Sequence, residues 1–197
     1  MNLVHIVGDG KLCPVTSRRD EVLAAALDLL DEVGLDALTT RRLAEKLGVQ
    51  PGALYRHFDS KRSLLGAMVA RLTSDAVVDS EPPDDWAGLL RYAALGARAA
   101  MLTRRDGARL VATHLVPADE TSQQFWHRMI GTLTAAGFPQ PDAVVAVDTV
   151  FAYVNGFTIE EQSRDGFPAE PERRAWRDKS FQAGLDLIIA GVTASRS

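Results

Sequence analysis

The stretch from Leu38 to Phe58 leaves the chain few choices, because its apolar spacing and its turn residues demand two short helices joined by a sharp bend. Leu43, Ala44 and Leu47 fall at i, i+1 and i+4, one inward stripe, while Arg41, Arg42, Glu45 and Lys46 stay on the wet side. Thr39 or Thr40 can cap the first helix by accepting a backbone N–H through its hydroxyl. Gly48 follows the last periodic residue, where glycine takes a left-handed backbone without a Cβ penalty. Pro51 suits the first turn of the second helix, whose inward face is Leu54 and Phe58.

What faces outward points to a nucleic acid. Gly52 and Ala53 carry almost no side chain, so the front of the second helix can approach the floor of a major groove, with the Ala53 methyl free to meet a thymine methyl. Tyr55, Arg56, His57 and Lys61 flank that tip and can donate to phosphate oxygens. The DNA-facing set is completed by Thr40, Arg41 and Gln50. Residues 39–71 hold seven Lys and Arg against two acids, a local charge of +5, whereas the whole chain is −4. A basic patch on an acidic protein draws in phosphate and gains affinity from the counterions released. A plain three-helix unit would also put leucines inside and basic residues outside, but would not need the glycine turn, the bare tip and the Tyr-Arg-His-Phe run together.

That spacing resembles the tetracycline repressor (TetR) family of bacterial transcriptional repressors over residues 20–72. The resemblance implies an all-α protein with a three-helix DNA-reading head, a helical body that binds an effector and dimerises, double-stranded operator DNA as partner, and a cytoplasmic location.

The rest of the chain fits such a frame. The 197 residues are 46% hydrophobic and 24% charged, an ordinary globular composition. No uninterrupted apolar run reaches membrane-spanning length, residues 1–15 lack the apolar core of a signal peptide, and no membrane association is expected. The single cysteine, Cys13, makes neither an internal disulfide nor a zinc site. Residues 1–16 show no helical period and read as a flexible arm; Lys11, Arg18 and Arg19 would suit a minor-groove contact that Asp9 opposes. Residues 17–72 form the head, its first helix carrying Val22, Leu23, Ala26, Leu27, Leu30 and Val33 on one face and ending at Gly34. A fourth helix from Ser60 to about Asp79 links the head to the body, residues 73–197, which carries a charge of −5 and is not a second nucleic-acid surface.

Within the body, helices are expected at about 86–103, 108–115, 121–136, 141–162 and 171–194, and nothing reads as a strand. The last two are apolar on more than one face, through Val144, Val145, Val147, Val150, Phe151 and Val154 in one and Phe181, Leu185, Leu187, Ile188 and Ile189 in the other. One face can pack within the chain. The other calls for a second copy, two helices from each chain making a four-helix bundle, with Leu185 and Ile188 expected at the contact.

The body resembles that of the tetracycline repressors more weakly than the head does, through residues 92–102 with the Arg-Asp-Gly-Ala run at 105–108, Gly137-Phe138, and Gly156 with Glu160-Glu161-Gln162. Where those repressors place polar groups for the drug and its magnesium, this chain has Val77, Ala93, Ala97 and Val111. Glu160 alone survives among possible metal donors, and one glutamate does not make an octahedral shell. No metal or other cofactor is expected. The effector pocket is therefore read as apolar, walled by those residues with Met101, Leu110, Met129 and Phe151, and with His114 and Asp148 as polar fixtures. Asp148 interrupts an apolar run, so its carboxylate either pairs with a base or awaits a ligand's donor. An enzyme is the weaker alternative, since His114, His127, Asp148, Glu160 and Glu161 fall at no catalytic or ligand spacing. A DNA-binding regulator whose body takes a protein partner is the other.

Overall fold

The computed structural model describes residues 4–6, 12–14, 17–75, 81–114 and 120–195. They form two compact units, Met1–Leu64 and Leu65–Ser197. Apart from one short strand pair, every regular element is helical.

In the first unit, α1 (Arg18–Val33) opens with a capping box: the Asp20 amide donates to Ser17 Oγ at 3.2 Å and the Ser17 amide returns a bond to Asp20 Oδ2 at 3.3 Å. Ser17 thus holds the cap position. Val22, Leu23, Ala26, Leu27 and Leu30 are buried, as the period requires. Thr39 caps α2 (Thr40–Leu47), its Oγ1 accepting from the Arg42 amide at 3.2 Å. Gly48 ends α2 with φ 65° and ψ 30°, the left-handed backbone anticipated for it. α3 is shorter than its apolar spacing suggests. Only Pro51–Leu54 is α-helical, and Tyr55, Arg56 and His57 continue in turns. The Ala53 amide bonds to Gln50 O and the His57 amide to Leu54 O, three residues back, so the chain tightens around Gly52, which favours no helix. Leu54 and Phe58 are nevertheless both buried.

Strands β1 (Val4–Ile6) and β2 (Leu12–Pro14) pair antiparallel, with Val4 opposite Pro14 and Ile6 opposite Leu12. This pairing falls in the stretch read as an arm without period; three residues per strand are too few for an alternating pattern to show.

α4 (Lys61–Asp75) begins in one unit and continues into the other. Ser60 Oγ accepts from the Ser63 amide at 3.1 Å and starts it. The boundary between compact units thus lies inside a helix, where the sequence places it near residue 72.

The second unit contains α5 (Trp86–Leu102), α6 (Gly107–His114), α7 (Glu120–Ala135), α8 (Gln140–Asp165) and α9 (Pro171–Ala194). α8 is its centre and packs against α5, α6, α7 and α9. By length and composition α8 could cross a membrane, but Ala143, Val147, Val150 and Val154 are buried in the body. The α5–α6 corner needs Gly107: a Cβ there would collide with Met101 O, a backbone atom that cannot yield.

Candidate DNA interface and ligand body

The head sorts its cations by what holds them. Lys46 Nζ pairs with Glu32 Oε1 at 2.5 Å, tying α2 to α1, and Arg42 donates to the Ala37 carbonyl at 3.2 Å. Arg41 Nε donates to Glu45 Oε1 at 3.1 Å in an exposed pair one helical turn apart. Arg56, Lys61 and Arg62 are exposed and enter no ion pair among the described residues. Gly52 and Gln50 are exposed, Thr40, Ala53 and His57 half-buried, and Tyr55 is 50% exposed although aromatic. A Cβ on Gly52 would meet nothing within 4 Å, so the tip is open on its outer side. Arg19 lies over the buried Phe58 ring at 4.7 Å, holding the end of the Tyr-Arg-His-Phe run against α1. Of the anticipated DNA-facing residues none is fully buried. Arg62 was not singled out from the sequence, although its place one residue after Lys61 was a visible signal.

The anticipated effector walls divide differently. Ala93, Met101, Leu110, Val111 and Met129 are buried, while Ala97, His114 and Phe151 are half-buried. Val77 lies outside the described residues. The His114 ring shares a hydrogen bond between Nδ1 and Thr113 Oγ1 at 2.7 Å. Asp148 is exposed on α8. The apolar run around it is real, but it wraps more than one side of the helix, and the carboxylate falls on the side that water reaches; neither a buried base nor a ligand donor is required by its position. Glu160, the surviving metal-donor candidate, is exposed and pairs with Arg164 at 3.3 Å. Among the described residues no three His, Cys, Asp or Glu side chains converge as metal ligands.

The neighbours of Glu160 hold the body together. Glu161 is 1% exposed and Arg98 6%, and they meet in a two-pronged pair, Arg98 Nε to Oε2 at 3.0 Å and Nη2 to Oε1 at 2.9 Å. Arg98 Nη1 also reaches Asp178 at 2.7 Å, so one guanidinium joins α5, α8 and α9. Its Cζ lies 4.9 Å from the centroid of the Phe181 ring, which clusters with Tyr153 and Phe157. Tyr153 donates to Phe181 O at 3.0 Å, and burial pushes its phenol above the ordinary range against the opposing pull of Arg98. Gln162 bridges the α5–α6 corner, donating to Met101 O at 3.2 Å and Arg104 O at 2.8 Å and accepting from the Ala108 amide at 3.0 Å. At the end of α8, Asp165 accepts from Arg177 Nε at 2.7 Å and Arg173 Nη1 at 3.1 Å. The Arg177 hydrogen bond first, with the bond to Arg173 and the two charges adding to it, holds the Asp165 carboxyl below its ordinary value despite the opposing cost of burial. Apart from the Glu160-Glu161-Gln162 run, none of this network was legible, since its partners lie far apart in sequence.

A cleft of about 430 Å³ opens between the end of α8 and the start of α9, lined by Arg164, Asp165, Glu172, Arg173, Trp176 and Arg177. Its arginines are taken by Glu160 and Asp165, which leaves it little charge for a ligand.

Comparison with known proteins sets these features in a lineage. Residues 22–68 match the model for bacterial regulatory proteins of the tetR family, and residues 79–176 match that for the tetracyclin repressor-like C-terminal domain. The chain is 38% identical to the tetracycline repressor protein class A from transposon 1721 of Escherichia coli, over 89% of this chain and 90% of that protein. Among solved structures, a single-residue variant of TetR from Acinetobacter baumannii AYE in complex with minocycline superposes with a TM-score of 0.78 at 40% identity, covering 92% of this chain and 98% of that one. BioQ with its double-stranded DNA operator superposes at 0.73 and 33% identity, covering 90% and 99%.

Proposed function

The chain belongs to the tetR family of bacterial regulatory proteins, and from that premise we propose that it is a homodimeric, cytoplasmic transcriptional repressor that leaves its operator when a small, largely apolar effector enters the body. The observation that carries the reading is the bare tip at Gly52 and Ala53 with exposed Arg41, Arg56 and Lys61 around it in the sequence. Small residues admit the backbone to a groove, and exposed cations meet the phosphates. Thr40, Gln50, Tyr55 and His57 complete the surface. Two heads on a two-fold axis, spaced by a turn of DNA, read a near-palindrome where one head would bury too little.

The dimer contact falls to α8 and α9. Val145 on α8 is 62% exposed and Leu187 on α9 is 76% exposed, apolar surface that a second copy would cover in a four-helix bundle. The effector site is assigned to the apolar body around Ala93, Ala97, Met101, Leu110, Val111, Met129 and Phe151, with His114 at its edge. Ligand and DNA oppose each other by linkage: an effector that prefers heads spaced wrongly for the operator weakens DNA binding by the factor by which DNA weakens its own. α4, which belongs to both units, is the lever we assign to that change. Fluorescence anisotropy with a duplex from upstream of the protein's own gene and a random duplex, over a range of salt, tests the reading. Tighter binding to the former is expected; equal affinity for both sinks it.

A further inference from the structure

α8 has three faces. Ala143, Val147, Val150, Val154, Thr158 and Glu161 are buried, and Val145, Ala152 and Gly156 on the other side are exposed. Between them runs a half-buried stripe through Phe151, Asn155, Ile159 and Gln162, at helical spacing. Contacts locate both ends of that stripe. Phe151 lies against Trp126 of α7 with ring centroids 5.5 Å apart, and Gln162 is bonded to the α5–α6 corner. Asn155 sits between them on the same face, and its Oδ1 is closed off from solvent with no hydrogen-bond partner.

A carbonyl oxygen that has lost water and gained no donor is costly, and folded proteins leave few of them. An apolar side chain of the same size would avoid that cost, so the amide is matched to a donor that arrives from outside the chain. We propose that Asn155 is a hydrogen-bonding residue of the effector site and that the effector is an aromatic molecule that carries a hydroxyl and no cationic group. The inference rests on the effector-responsive reading above. The hydroxyl follows from the buried acceptor. The carboxylates argue against an ammonium as the donor: Glu161 is bound to Arg98, and Asp148, two turns from Asn155, is exposed, so a buried cation would find no buried counter-ion. The aromatic part follows from Trp126 and Phe151, two half-buried rings tilted at 44° that still have surface to give.

The test uses the full chain with three probes of one size, 1-naphthol, 1-methoxynaphthalene and naphthalene, read by thermal shift and by displacement from the upstream duplex. In the wild type, 1-naphthol is expected to bind at least about 10-fold more tightly than the methoxy compound, because a site built for a hydroxyl rejects an analogue that cannot donate. Asn155→Leu is expected to abolish that preference, leaving the three probes alike. The inference is overturned if the wild type does not distinguish 1-naphthol from 1-methoxynaphthalene, if it binds none of the three, or if Asn155→Leu keeps the preference. The wild-type comparison stands whether or not the variant folds. Failure of the broader reading is separate, since it shows as equal affinity of the wild type for upstream and random duplexes.

Discussion

At the scale of single residues the body turns on two carboxylates that the sequence presents as ordinary. Asp165 closes the α8–α9 corner through Arg177 and Arg173, and its folded pKa lies below the ordinary 3.8. Its stabilisation is therefore fully present above that value and is lost as the pH falls through the lower folded one. Asp165→Asn should cost about 1.5–3 kcal/mol at neutral pH, the range for hydrogen bonds to a charged group. The variant should also lose part of the acid-dependent fall in stability, which urea melts at pH 7 and pH 3 would measure; equal losses at both would remove the ionic account. Glu161 poses a sharper case. Replacing Arg98 with Met strands a buried carboxylate and should cost about 3–5 kcal/mol, whereas the Arg98→Met, Glu161→Leu double variant should recover much of it. A double variant no more stable than the single one would show that the pair's packing, rather than its charge, holds α5 to α8.

At the scale of elements, we assign the DNA contact to α3 and α4 and the pairing of chains to α8 and α9. Lys61→Ala should weaken binding to operator and random duplex alike and reduce the slope of log affinity against log salt by about one unit. Ala53→Glu should abolish specific binding by setting a carboxylate against base edges and phosphates; anisotropy unchanged from wild type would take α3 out of the groove. For the dimer, exposure redirects the choice of residue. Leu185, which its period marks for the contact, is buried in its own chain, while Leu187 is not. Leu187→Asp should yield folded monomers at micromolar concentration in the analytical centrifuge, and Leu185→Asp should instead impair folding. A Leu187→Asp protein that remains dimeric would place the contact elsewhere.

For the whole molecule, the relatives include tetracycline repressor proteins, while the residues expected to wall the pocket of this body are mostly apolar. Val111, Ala93 and Ala97 offer methyl groups, and Glu160 is engaged with Arg164. Calorimetry with tetracycline and magnesium is expected to show no tight, magnesium-dependent binding, because a chelated ion needs oxygen or nitrogen ligands around it. Tight binding would undo the register on which the pocket assignment stands.

Short-range physics determined what the sequence could reveal alone. The α1 and α2 helices, the left-handed turn at Gly48, the caps at Ser17, Thr39 and Ser60, and the exposed cations of the head all depend on residues within a turn or two of one another. The helices of the body followed from the same periodicity. Only the tertiary structure decided which apolar faces of α8 and α9 are already covered, and so separated Leu185 from Leu187. It alone brought Arg98 to Glu161, 63 residues away, turned Asp148 toward water and left Asn155 Oδ1 without a partner. A helix wheel places a side chain on a face, but whether that face meets a helix, a ligand or solvent depends on segments that the chain brings together only when it has folded.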